Sequence, residues 1–426
     1  MKKNPAGKPW LWVPSLYFTE GLPYIIVMSL TTVMYKRLGI SNAEIALFTS
    51  WLYLPWVIKP LWSPFVDILF TKRLWIISTQ FFLGITLIFI AISLNFQSFF
   101  ILSILIFYIA AFLSATHDIA ADGFYMLGLN QKDQSFFIGI RSTFYRFAMI
   151  FGQGLLVIIA GFLEDELNEI SAAWVFTLCL AGLFLLILFV YHKSVLPYPS
   201  EDRANVIPDP RIIFRKFADT FITFFRKERI VTAVLFILFY RLGEGQLVKM
   251  ASPFLLDPAE AGGLGLSTES VGFIYGTVGV IALITGGITG GIAVSKKGLK
   301  FWIWWMIAAI NLPDLVYVFL SITQTENFFI INSLIAVEQF GYGFGFTAFM
   351  MVLIYISEGE FKTAHYAIAT GIMALGMMLP GMVSGIIQEA VGYKLFFIWV
   401  CISTIPSFII TAFLRFDPDF GKKNGD

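Results

Sequence analysis

The sequence predicts an all-α membrane protein whose twelve transmembrane helices form two six-helix bundles. Composition, the spacing of apolar runs and the placement of basic residues each point there. Of 426 residues, 58% are hydrophobic and 13% are charged, whereas soluble domains average about 45–50% apolar and about 25% charged. Such a chain has too little polar surface to cover itself in water. An ordinary soluble enzyme, a disordered chain and a coiled coil are therefore excluded. The formal net charge of +1 implies no nucleic acid or other strongly charged partner. Cys179 and Cys401 both fall in apolar stretches and build neither a disulfide framework nor a zinc spacing. No metal or cofactor is expected.

A helix needs roughly 20 apolar residues to cross about 30 Å of hydrocarbon. Twelve stretches satisfy this: roughly 10–35, 43–67, 73–94, 98–129, 135–163 and 172–191, then 229–256, 268–295, 300–322, 328–357, 364–390 and 394–414. Lipid cannot satisfy backbone polar groups, so each stretch must be helical or part of a closed barrel. Continuous apolar runs, rather than alternation, select helices. The first stretch carries Glu20 and Pro23 in its middle and no A-x-A-like site after it, so it reads as a span and not as a cleaved signal.

Lys and Arg orient the chain. With the N-terminus in the cytoplasm, 21 of the basic residues fall inside, and only Lys36, Arg37 and Lys394 fall outside. Both termini are expected to be cytoplasmic. Residues 192–228 form the long polar segment, with Pro197, Pro199, Pro208 and Pro210. It separates an N-terminal bundle, 1–191, from a C-terminal bundle and tail, 229–426. From Arg211 onward it reads either as an amphipathic helix on the inner surface or as a plain linker. The halves repeat faintly: Glu20-Gly21 returns as Glu244-Gly245, and Glu44 returns as Glu269. That suits parallel repeats.

Charged side chains deep in a span cost about 2.5–3.5 kcal/mol on insertion scales, so they are the strongest functional clues. The first half sets Glu20, Asp118 and Asp122 against Lys59, Arg141 and Arg146. Asp118 and Asp122 share a helix face. Estimated depths suggest pairing Asp118 with Arg146 and Glu20 with Lys59. The set reads as a polar cavity for a carboxylate-bearing substrate, because an Arg fork grips carboxylates; structural ion pairs account for it equally well. The second half holds Glu244, Asp314 and Glu338 against Arg241 and Lys249. Desolvation favours the neutral form of an acid. Glu244, Asp314 and Glu338, with Asp118, are therefore candidate proton sites, or acids bonded for packing alone. Lys249 lies near an outer end and is expected to snorkel. His117 reads as a packed polar residue. Trp10, Trp12, Trp302, Trp304 and Trp305 read as interfacial belt residues.

Several of these stretches resemble a known family. Lys59-Pro60-Leu61-Trp62-Ser63-Pro64-Phe65-Val66-Asp67, Ala115-Thr116-His117-Asp118-Ile119-Ala120-Ala121-Asp122, Tyr145-Arg146, Arg241-Leu242-Gly243-Glu244, and Glu338 with Gly343 to Met351 resemble motifs of the AmpG-type muropeptide permeases. These belong to the peptide/acetyl-coenzyme A transporter branch of the major facilitator superfamily. His117 stands where the family usually has Gln, and Glu20 where a small polar residue is expected. Asp67 with Lys72 and Arg73 resembles the superfamily's acidic–basic loop and reads as a conformational latch.

The resemblance implies the major facilitator fold and a bacterial inner-membrane location. It also implies proton-coupled import of anionic cell-wall glycopeptides by alternating access. A monomer without cofactor or catalytic residues is expected. Glu20, Lys59, Asp118, Asp122, Arg141, Arg146 and Arg241 are then the substrate-binding candidates. An acetyl-coenzyme A carrier of the same branch is the alternative. A membrane enzyme or a non-transporting sensor fits less well, because every loop but the central one is short.

Overall fold

A computed structural model of the chain describes residues 8–203, 210–359 and 361–422; for Asp67, Ile68 and residues 210–217 it describes the backbone alone. Among the described residues, ten helices are long and apolar enough to cross a bilayer. They are Pro9–Arg37, Lys72–Ser93, Phe99–Gly128, Gln131–Leu167, Ile170–Val195, Ile230–Leu256, Thr268–Lys297, Leu299–Thr323, Phe328–Ser357 and Lys362–Ala412. The last has 51 residues. At about 1.5 Å per residue it would reach more than twice the hydrocarbon thickness. Gly392, at φ 75 and ψ 166, turns the chain within it. This φ is one that glycine adopts freely, so the run serves as two crossings.

The second predicted span is also helical, but in two pieces, Asn42–Trp51 and Leu54–Ile68. Pro55 has no N–H to donate back to Trp51. The chain tightens there instead, with Leu52 N on Thr49 O and Tyr53 N on Ser50 O. Counted this way, the described residues are consistent with twelve crossings.

Local chemistry sets the helix starts. Side chains of Ser41, Thr71, Asn130, Ser267 and Asn327 accept from backbone N–H groups of the first turn, as N-caps do. Three further interruptions fall beside intramembrane charges or glycines. The seventh span breaks at Tyr240–Arg241, just before Glu244. The ninth narrows to a 3₁₀ turn over Leu312–Asp314, after which Asp314 opens the next helix. The eighth widens to a π turn over Ile274–Gly279. Each break leaves a local backbone kink at a position that carries polar groups.

The chain divides into two compact units: Met1–Leu38 with Ile58–Arg215, and Gly39–Val57 with Lys216–Asp426. The first packs around Trp12, Leu16, Tyr17 and Phe124. Trp12 therefore belongs to the core and not to an interfacial belt; its ring lies edge-on to Phe124 at 5.2 Å. Trp10, Trp304 and Trp305 are exposed. The second unit packs around Phe236, Tyr240, Met306 and Phe349. Its linker segment is helical over Pro210–Phe225. Thr223 and Phe224 at the end of that helix meet His365. The side chains of the basic Arg211–Phe217 stretch lie outside the described residues.

Small residues let the eighth and tenth spans approach closely. A Cβ at Gly343 would stand 2.1 Å from the Leu283 carbonyl oxygen, whereas one at Gly291 meets nothing within 4 Å. Gly343→Ala is expected to lose about 3 kcal/mol or more, by overpacking against backbone that cannot yield. Gly291→Ala should be neutral. Melting of the purified protein in detergent reads both; equal melting temperatures for the two variants would contradict the close approach.

Candidate functional site

In the first unit the fourth span carries Asp118 and Asp122 one helical turn apart, and each has its own cation. Lys59 donates to Asp118 Oδ2 in a short contact. Lys59 thus pairs with Asp118 and not with Glu20, the partner that depth alone suggested. Arg141 Nη1 meets Asp122 Oδ1 at 3.0 Å. The Tyr17 hydroxyl completes a triangle, donating to Asp122 at 3.0 Å and accepting from Arg141 at 2.8 Å. The Arg141 guanidinium also lies 4.9 Å from the Tyr17 ring and 5.0 Å from that of Tyr125, in cation–π range.

These pairs are not sealed. The side chains of Lys59 and Asp118 are 28% and 21% exposed, and those of Arg141 and Asp122 are 32% and 47% exposed. Arg146 is half-buried on the same helix as Arg141. Glu20 is buried, and its Oε2 accepts no hydrogen bond. Beneath this cluster a buried polar chain runs from His117 through Gln80 and His192 to Ser15, each link 2.9 Å. His117 is thus a packed polar residue.

The loop after the second span is fastened within the same unit. Asp202 accepts from the backbone N–H groups of Lys72 and Arg73 at 2.7 and 3.0 Å, and so caps the third span. Lys72 Nζ reaches the Val66 carbonyl at 3.0 Å. Arg73 donates to the Lys193 and Leu196 carbonyls and stacks on Tyr198. The Asp67 side chain lies outside the described residues.

In the second unit three acids from three spans converge. Glu244, Asp314 and Glu338 each bring a carboxyl oxygen within 4.8 Å of the others, and all three are buried. Glu244 follows the helix break at Arg241, and Asp314 ends the 3₁₀ turn Leu312–Asp314. Both carboxyl oxygens of Glu244 and of Asp314 accept no hydrogen bond from the described residues. Glu338 accepts from Gln339 at 2.9 Å and from Tyr317 at 3.4 Å, and Tyr317 shares a short bond with Tyr275. Arg241, three residues before Glu244, donates to the Tyr342 hydroxyl at 2.6 Å and lies over the Tyr342 and Phe346 rings. Three carboxylates cannot all stay ionised at this spacing in a desolvated site.

Sequence reasoning missed Tyr17, Tyr275 and Tyr317, and misread Lys249. In a chain with 16 Tyr nothing marks those whose hydroxyls join an intramembrane polar cluster. Lys249 does not snorkel: it is 1% exposed, and its Nζ donates to Thr49 Oγ1 at 2.8 Å.

An all-helical, multi-pass chain with ionised pairs and clustered acids at mid-span depth has the make-up of a membrane transporter. The comparisons agree. The chain belongs to the Major Facilitator Superfamily, whose family model matches residues 15–358. Over 414 residues it is 27% identical to a protein of Rickettsia conorii named putative transporter AmpG 4, covering 94% of this chain and 95% of that one. It is 23% identical over 424 residues to the anhydromuropeptide permease of Escherichia coli, covering 96% and 80%. Among solved structures, the nucleoside transporter NupG aligns with a TM-score of 0.68 at 17% identity, over 95% and 98% of the two chains. A POT-family transporter in complex with a thioalcohol-conjugated peptide aligns at 0.71 and 13%, over 94% and 95%. These structures share the fold.

The pairing pattern is testable by double-mutant cycles. Lys59→Met with Asp118→Asn, and Arg141→Met with Asp122→Asn, should each show coupling of about 1–3 kcal/mol in thermal unfolding, with a smaller value for Lys59→Met with Asp122→Asn. Stronger coupling in the crossed pair would contradict the assignment.

Proposed function

We propose that this protein imports anhydromuropeptides together with protons across the bacterial inner membrane by alternating access. The observation that carries the reading is the near full-length match to proteins named AmpG and anhydromuropeptide permease. The geometry supplies a division of labour that suits it. In the first unit, Lys59, Arg141 and Arg146 stand on part-exposed faces with acids beside them. A substrate carboxylate can displace Asp118 or Asp122 from its cation at little net electrostatic cost, because one ion pair replaces another. Glu20 and Arg241 complete the polar set we assign to the substrate.

Proton coupling falls to Glu244, Asp314 and Glu338, with Asp118 as a fourth carrier. A shared proton among three buried acids is bound or lost as their surroundings are wetted. Lys72 and Arg73, with Asp67, act as the inner-face latch. In this reading the segment 192–228 joins the bundles 1–191 and 229–426 on the cytoplasmic side, and both termini are cytoplasmic. The protein works as a monomer, performs no covalent chemistry and needs no cofactor.

The experiment is uptake of labelled N-acetylglucosaminyl-anhydromuramyl peptide into proteoliposomes. Wild type should accumulate it when the outside is acid, and should not when the pH gradient is collapsed. Glu338→Gln and Glu244→Gln should lose accumulation at least about tenfold, while counterflow exchange at equal pH persists. Accumulation driven by a sodium gradient at constant pH would contradict the proton part. No uptake under any gradient would contradict the substrate.

A further inference from the structure

The second unit holds a buried cation that the reading above does not use. Lys249, on the seventh span, is 1% exposed. None of the ion pairs among the described residues includes it. Its Nζ donates to Thr49 Oγ1 at 2.8 Å and lies 5.3 Å from the Tyr53 ring centre. A hydroxyl and a ring face soften the loss of water around an ammonium but do not neutralise it. An ammonium has three donors to place. Ser50 is a second orphan: its hydroxyl is fully buried and has no hydrogen-bond partner among the described residues. The two side chains border one spot, since a Cβ at Gly381 would stand 2.7 Å from Ser50 Oγ and 3.4 Å from Lys249 Cγ.

A buried amine without a counter-ion and an unsatisfied buried hydroxyl are costly for a structure that gains nothing from them. A methionine would fill the same space without that cost. We propose that Lys249, Ser50 and Thr49 form a subsite for a carboxylate of the transported substrate. The anion would take the free ammonium donors and the Ser50 hydroxyl. Thr49 and Ser50 end the helix Asn42–Trp51, immediately before its break at Leu52–Tyr53. The site rests on the proposed function for its substrate.

The test compares acid and amide forms of one ligand. Purified wild type, Lys249→Met and Ser50→Ala are screened by thermal shift against an anhydromuropeptide and the same compound with its peptide carboxylates amidated. The free acid should bind wild type more tightly than the amide. Lys249→Met should weaken the acid by about tenfold or more and leave the amide within about twofold. Ser50→Ala, which removes a single buried oxygen, should weaken the acid by about threefold. Without ligand, Lys249→Met should melt at or above the wild-type temperature, because an unpaired buried charge is removed. Equal weakening of acid and amide, or a lower melting temperature for Lys249→Met with acid binding unchanged, would overturn the subsite. If neither muropeptide form stabilises wild type, the substrate reading falls first. The subsite is then read with N-acetyl tripeptides and their amides, where absence of an acid-specific loss in Lys249→Met overturns it.

Discussion

A charge inside hydrocarbon must find an opposite charge, a proton or water, and the structure is arranged around the three solutions. In the first unit each acid of the fourth span has a cation: Lys59 for Asp118, and Arg141 for Asp122. In the second, the buried acids Glu244, Asp314 and Glu338 bring carboxyl oxygens within 4.8 Å of one another. Lys249 is buried, and none of the ion pairs among the described residues includes it. The helix breaks follow the same constraint. Helix breaks at Arg241 and at Leu312–Asp314 fall beside the buried acids Glu244 and Asp314.

The two units thus hold their charges in different states of readiness. The Lys59–Asp118 and Arg141–Asp122 pairs are a fifth to a half exposed. Sealed acids respond to protonation more than to ligand geometry. A transporter needs both behaviours in one molecule, coupled through helices that can pivot. Chain breaks at Leu52–Tyr53 and at Tyr240–Arg241 lie within a few residues of Lys59 and of Glu244, so a pivot at either would move a charge.

Much of the fold was legible in the sequence because hydropathy reports length directly. The tenth span, read as 328–357, is the helix Phe328–Ser357. The break in the second span and the turn at Gly392 were less legible, since apolar content continues through both. The charged residues themselves were easy to find, but their partners were not. Counting residues along a helix gives height in the membrane and says nothing about which way a side chain points across to its neighbour. Lys59 therefore went to Glu20 on height, while packing gives it Asp118. Tyr17 and Tyr317 were invisible for another reason. A tyrosine that bonds a buried acid and one that faces lipid look alike in a chain with 17% aromatic residues. Lys249 was read as snorkelling because its position is near an outer end. The burial that contradicts this comes from the helix Asn42–Trp51 packing over it within the second unit.

The central claim is that the intramembrane charges line a passage which water reaches, and do not merely bind helices together. Cysteine accessibility at those positions measures this most directly. In a background with Cys179 and Cys401 replaced by serine, Asp118→Cys and Glu338→Cys should each be labelled by a membrane-impermeant thiosulfonate added to sealed vesicles, with rates that change when substrate is present. Failure of both to react from either face of the membrane, in protein that is folded and inserted, would contradict the account.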